Sequence, residues 1–388
     1  MDKKGEGFKR KLFGLKDLGI LGSTDIVGTG ISAIFWFYLA TMLEAEHYGE
    51  IHYFLGIAGM AYIVSLIGTS NTITVYAAKN VEIHSTLYLI SLIGGFLSFL
   101  VILGAFQRLD AGLIVFGYII NELGLYYLLG KKLYSKFSKN ILIQKILTLV
   151  FGLGFYYFFG SEGIIYGLAL SYIHFTIIVY KVFRSSRINF ALLKSHGGFI
   201  TNNYFANTIG GLRGQADKVI IAPLLGFAIL GNYALALQVY SVLLGFSDVV
   251  YKYILPQDAS GTPKPKLKKI TFFISIGIAV FGATLLPLLI PYFFPKYIEA
   301  IGAIQITSMA VVPSTIGLFY VSKFLSLEKS RFILIGRLIS LAVIVSGMII
   351  LSKIFGLYGA AAAFVLSSAA QTIFFVFASK RLKVQGWN

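Results

Sequence analysis

Gly210-Gly211-Leu212-Arg213-Gly214-Gln215-Ala216-Asp217-Lys218 places three charges inside a run, residues 199–225, that is apolar at both ends. The run is long enough to cross about 30 Å of hydrocarbon, which puts Arg213 near mid-membrane. An ionised side chain there costs about 2.5–3.5 kcal/mol on insertion scales, so it must face protein or a water-filled cavity. Arg213 and Asp217 are four residues apart and share a helix face. Gly210 and Gly214, at the same spacing, would let a neighbouring helix come close. The stretch predicts a spanning helix with a polar, thinly built side.

The rest of the chain agrees. Of 388 residues, 57% are hydrophobic and 13% charged, outside the range of soluble domains. Apolar stretches of membrane-crossing length recur almost without pause, whereas barrel strands would show about ten residues of alternation. The fold class is therefore all-α and polytopic. The 34 Phe and 24 Tyr suit lipid-facing surfaces and interfacial belts. With no cysteine, neither a disulfide nor a thiolate metal site is possible. No HExxH pair, P-loop or GxSxG elbow occurs and the histidines are scattered, so no catalytic or metal-ligating residue is expected.

Twelve spans fit: 19–42, 51–76, 84–106, 110–130, 140–159, 163–183, 199–225, 228–255, 270–292, 298–326, 331–354 and 357–379. The basic start through Lys16 precedes an apolar run too long for a signal-peptide core, and we read it as a retained first span. An even span number puts both termini on one side. Lys3, Lys4, Lys9, Arg10, Lys11 and Lys16 then share the cytoplasm with Lys131, Lys132, Lys136, Lys139, Lys181, Arg184, Arg187 and Lys194. Lys264, Lys266, Lys268, Lys269, Lys329, Arg331, Lys380, Arg381 and Lys383 join them. External segments keep Arg108 and Lys296, with Lys353 at a helix end, and carry Glu44, Glu46, Glu50 and Glu162. This positive-inside asymmetry predicts a cytoplasmic-membrane protein with both termini cytoplasmic. It also accounts for the net charge of +17 without nucleic acid, the basic clusters facing anionic headgroups.

The loops at 184–198 and 256–269 are short basic connectors, so function is expected within the membrane. The expected division is an N-terminal six-helix bundle (1–183), a cytoplasmic connector (184–198) and a C-terminal six-helix bundle (199–388). A weak repeat supports two halves. Tyr48-Gly49-Glu50-Ile51, shifted by 182 residues, falls on Leu230-Gly231-Asn232-Tyr233, and Gly28 falls on Gly210. Gly163-Ile164-Ile165-Tyr166-Gly167 opens span six much as Gly356-Leu357-Tyr358-Gly359 opens span twelve. Halves of six spans share one orientation, related by an axis along the membrane normal, with a substrate path expected between them.

Three motifs in order then resemble the Wzx-related polysaccharide flippases, in the superfamily that also holds MATE multidrug exporters and lipid II flippases. They are Asp217-Lys218-Val219-Ile220-Ile221 followed by Leu230-Gly231-Asn232-Tyr233-Ala234; Phe294-Pro295-Lys296-Tyr297-Ile298-Glu299-Ala300; and Gly356-Leu357-Tyr358-Gly359-Ala360-Ala361. The resemblance covers nearly the whole chain. It implies a V-shaped pair of six-helix bundles opening alternately to either side, with a lipid-linked oligosaccharide carried from the cytoplasmic to the outer leaflet. The chain departs from the family pattern at Glu44-Ala45-Glu46-His47-Tyr48-Gly49-Glu50, where a Gly-Pro turn is common.

The phosphate of such a cargo needs cationic company in the low-dielectric core. Arg213, Lys218, Arg337 and Lys252 are the candidates, guanidinium being the better phosphate fork. Each has a plainer reading: Arg213 pairs with Asp217, Arg337 snorkels to the headgroups, and Lys252 pairs with Asp248 one turn away. Asn71, Asn202, Asn203 and Asn207 could bind sugar hydroxyls or glue helices. Asp25 and Glu122, and less directly Asp217 and Asp248, could couple the cycle to H+ or Na+; the alternative is structural hydrogen bonding. His174 in span six reads as a packing residue or a proton relay.

The expected function is a flippase for a polyprenyl- or dolichyl-linked saccharide in polysaccharide or glycoprotein biosynthesis, working without a bound cofactor. An ion-coupled MATE-type multidrug exporter is the nearest rival. A membrane-embedded glycosyltransferase or ligase is disfavoured by the short external turns. Expected partners are the lipid-linked glycan, membrane lipids and glycan-assembly proteins, with a single chain sufficient.

Overall fold

The computed structural model describes residues 3–67 and 69–384, with side chains from 19 to 382 except at Gly68. The side chains of Lys3, Lys4, Lys9, Arg10, Lys11, Lys16 and Lys383 lie outside the described residues. Described residues are helical almost throughout, and none forms a strand. The helices are α1 (Lys3–Met42), α2 (Ala45–Ser65), α3 (Ser70–Ala78), α4 (His84–Phe106), α5 (Leu109–Gly130) and α6 (Tyr134–Phe159). After them come α7 (Gly163–Leu170), α8 (Phe175–Ser185), α9 (Phe190–Ser195), α10 (Gly197–Leu225) and α11 (Phe227–Ala259). The chain ends with α12 (Pro265–Thr284), α13 (Leu286–Phe293), α14 (Ala300–Ser308), α15 (Val311–Ser326) and α16 (Ser330–Val384).

Among the described residues, eight helical stretches are long and apolar enough to cross a membrane, or nine if the bent pair α2 and α3 counts as one span. Two of them, of 52 and 53 residues, are about 78 Å long at 1.5 Å per residue, room for two crossings each. A glycine at positive φ turns each one: Gly160 at 69° after α6, and Gly356 at 56° within α16. A side chain would strain that left-handed backbone, and glycine adopts it freely. α10, which carries Arg213, Asp217 and Lys218, is not among these stretches. The chain is a multi-pass membrane protein.

Several spans are broken, which hydropathy did not reveal. Lipid leaves no water for freed backbone groups, so side chains must satisfy them. At the α2–α3 break, the Tyr204 hydroxyl donates to Val64 O at 2.7 Å, and Thr69 Oγ1 accepts from Thr72 N–H at 3.4 Å. At the α7–α8 break, Ser171 Oγ donates to Leu168 O at 2.6 Å and meets Gln144 and Thr148 of α6.

By contacts the described chain forms two compact units. The first holds residues up to Phe35 together with Ala61–Thr208; the second holds Trp36–Met60 and Ile209 onward. α1, α2 and α10 thus each contribute to both. In the first unit Tyr88, fully buried, donates to Leu123 O at 2.8 Å, and Gly152 of α6 receives the Phe35 ring. In the second, α11 packs on α12, α14 and α15, Ser247 meets Thr315 at 2.7 Å, and Phe324 and Phe375 centre a buried cluster.

Candidate functional site

The second unit gathers the cations. Asp217 is 3% exposed. Its Oδ1 accepts from the Lys218 backbone N–H at 2.8 Å, and its Oδ2 from the Tyr233 hydroxyl at 3.1 Å. The Lys218 ammonium stands 3.9 Å from Oδ1 and donates to Gly214 O at 3.0 Å and Gln215 Oε1 at 3.2 Å. Asp217 is therefore neutralised by Lys218.

Arg213 does not form the expected pair with Asp217. Its Nε donates to Ser340 Oγ at 2.5 Å and its Nη2 to Ser368 Oγ at 3.4 Å, both on α16, while Ser340 donates to Ser367 O at 3.1 Å. Spacing fixed the shared helix face, but rotamer and neighbour fixed the partner. Arg337, also on α16, lies over Gly210, where a Cβ would stand 3.0 Å from Nη1. Gly210 thus makes room for an arginine side chain, and Gly214 faces open space, so the expected close helix approach at this glycine pair is not formed. The two guanidinium groups lie close enough to repel, with Tyr240 near Arg213 and Tyr251 near Arg337. Among the described residues neither arginine has an ion pair. Lys252 is exposed at the far end of α11, one turn beyond half-buried Asp248, whose charge it feels.

The first unit holds a carboxylate centre, besides the half-buried Lys145 of α6. Glu122 of α5 accepts from the Tyr62 and Ser70 hydroxyls, which stand on either side of the α2–α3 break. Tyr126, one turn further along α5, feels both Glu122 and Asp25 of α1. Asn207 donates to Ser70 Oγ at 3.3 Å, so the start of α10 joins this polar centre. Asn203 donates to Phe199 O at 2.9 Å within its own helix, whereas Asn71 and Asn202 are exposed. His174 bridges Ser171 O at 3.2 Å and Asn140 O at 3.3 Å, the geometry of a packing residue.

The hydroxyls of Ser340, Ser368, Tyr233, Tyr62 and Ser70 were not singled out from sequence. With 24 tyrosines and many serines, residue type alone carries no such signal. Among the described residues no group of three or more His, Asp or Glu is placed to hold a metal ion.

No protein-family model matches the chain, and no curated protein matches it in sequence. Solved structures match along nearly the whole length. One is the inward-facing conformation of a multidrug resistance MATE family transporter of the MOP superfamily, with 15% identity, 92% of this chain and 94% of that chain covered, and a TM-score of 0.69. The outward-facing conformation of such a transporter matches with 18% identity, 95% and 96% coverage and a TM-score of 0.66. A MOP superfamily transporter from Pyrococcus furiosus Vc1, whose binding pocket of reverse polarity suggests a different function for that protein, matches with 16% identity, 95% and 96% coverage and a TM-score of 0.66. The fold is that of the MATE transporters.

Proposed function

We propose that this chain is an alternating-access membrane transporter that moves a lipid-linked oligosaccharide, on a polyprenyl or dolichyl phosphate or pyrophosphate carrier, across the cytoplasmic membrane. The observation that carries this reading is the Arg213–Arg337 pair, two guanidinium groups within the second unit with no carboxylate partner among the described residues. Neutral serine hydroxyls orient Arg213 without cancelling its charge, which leaves it for a phosphate whose passage through hydrocarbon would otherwise be very costly. Lys218, tied to Asp217, and exposed Lys252 play lesser parts. Asn71 and Asn202 have amides free for sugar hydroxyls. The functional halves are 1–183 and 199–388 joined by 184–198, with both termini cytoplasmic, and one chain suffices.

One observation favours a second reading. The Glu122–Tyr62–Ser70 centre, with Asp25 nearby, suits a proton or Na+, or the cationic cargo of a multidrug exporter. In the flippase reading it couples the cycle to an ion gradient. The experiment is movement of a fluorescent polyprenyl-pyrophosphate saccharide by purified protein in proteoliposomes, with and without a proton or Na+ gradient. Protein-dependent loss of inner-leaflet label is the expected result. No movement over several carriers and glycans, alongside efflux of an organic cation, would replace the flippase by the exporter.

A further inference from the structure

The first unit contains a cavity of about 440 Å³ between α5, α6 and α8, apart from the Glu122 centre. Its polarity is graded along the helix axes. On α6 the lining residues are Lys136, Asn140 and Ile143, at spacings of four and three, one stripe of that helix. On α8, read from its C-terminal end inward, Ser185, Lys181 and Ile178 again form one stripe, with Val182 and Ile177 beside it. Both stripes run from a charged or hydroxyl rim to an apolar interior over about 10 Å at 1.5 Å per residue. His174, just before α8, ties the two sides together by reaching the Asn140 carbonyl of α6.

No acid lines the cavity, and among the described residues neither Lys136 nor Lys181 forms an ion pair. Two unneutralised ammonium groups above an isoleucine-lined slot complement a molecule with an anionic head and a hydrocarbon tail. We propose that this cavity is a binding site for one anionic phospholipid of the surrounding membrane. The phosphate lies between Lys136 and Lys181, and an acyl chain runs along Ile143 and Ile178. A lysine near the rim attracts the headgroup within a Debye length of the surface, and the acyl chain, already in hydrocarbon, adds close packing along the slot that a free phosphate lacks. The site is independent of the transport reading and of which way the chain faces.

The test is native mass spectrometry of the purified full chain, titrated with phosphatidylglycerol or phosphatidylcholine of the same acyl chains. One tightly retained phosphatidylglycerol, preferred over phosphatidylcholine, is expected. The double variant Lys136→Gln, Lys181→Gln should weaken that retention about 30-fold, from about fivefold per lysine. Ile178→Trp, which fills the slot and leaves both lysines in place, should weaken it as well. The control Lys264→Gln, Lys266→Gln in the basic connector 256–269 should leave it unchanged. Equal retention of the two lipids, an equal loss in the control, or full displacement by millimolar inorganic phosphate would each overturn the proposal.

Discussion

Gly49 and Gly231 stand 182 positions apart, and each lies against the carbonyl oxygen four residues before the other: Gly49 against Phe227 O, Gly231 against Ala45 O. Ala45 and Phe227 are themselves 182 positions apart. The contact is reciprocal, as a two-fold axis between the starts of α2 and α11 produces. At this backbone crossing neither glycine has room for a methyl group. Tyr48 and Tyr297 pack edge to face beside it, and the Tyr297 hydroxyl donates to Leu43 O at 3.3 Å.

Gly49→Ala and Gly231→Ala should each destabilise this packing, by about 1–3 kcal/mol, because backbone cannot yield as a side chain would. Gly245→Ala, at a helical glycine with open space around its Cα, should be neutral or slightly stabilising. Thermal melting of the purified variants in detergent checks the ordering. A Gly231→Ala protein that melts with the wild type would show that the crossing does not contribute.

Glu44 Oε1 and Lys296 Nζ are 2.9 Å apart, and both side chains are exposed. Such a pair contributes at most about 1 kcal/mol, so Glu44→Ala should hardly change stability. The chain has no cysteine, so Glu44→Cys with Lys296→Cys offers a unique site for a short methanethiosulfonate cross-linker. Cross-linking should stop transport and reduction should restore it, since it holds Trp36–Met60 on the rest of the second unit. Undiminished transport at complete cross-linking would show that this contact never opens.

Arg213→Ala and Arg337→Ala should each lower flipping about tenfold or more, the scale of losing a charge-assisted hydrogen bond. Arg213→Lys should recover only part, because an ammonium cannot span Ser340 and Ser368 as a planar fork does. Flipping per unit of folded protein in vesicles is the measure, with melting temperature separating transport from folding.

Glu122→Gln keeps an acceptor for Tyr62 and Ser70 but removes the ionisable group. The folded protein should persist while the dependence of transport on an imposed proton or Na+ gradient disappears. A variant that still responds fully to both gradients would move the coupling site away from Glu122.

Asp258 sits under the second unit's basic connector, accepting from Lys268 at 2.6 Å and Ser322 at 2.6 Å with a side chain 4% exposed. Asp258→Ala leaves Ser322 and partly exposed Lys268 without their acceptor and should cost about 1–2 kcal/mol, read as a lowered melting temperature. Asp258→Asn, which keeps an acceptor, should cost less.

What the sequence determined by itself is what the bilayer dictates locally. Apolar length marked stretches long enough to cross, Gly356 marked the start of the last expected span, and helical spacing put Arg213 and Asp217 on one face. What only the tertiary structure decided is who meets whom. Ser340 and Ser368 lie 127 and 155 residues beyond Arg213, and Tyr233, not Arg213, claims Asp217. Trp36–Met60 joins the second unit, and Tyr204 reaches back 140 residues to the break at Val64. Helical periodicity specifies the face a side chain occupies. In a membrane, where every neighbour is equally apolar, the partner on that face is chosen by close packing and by the few polar groups that must be satisfied, and neither leaves a mark in local sequence.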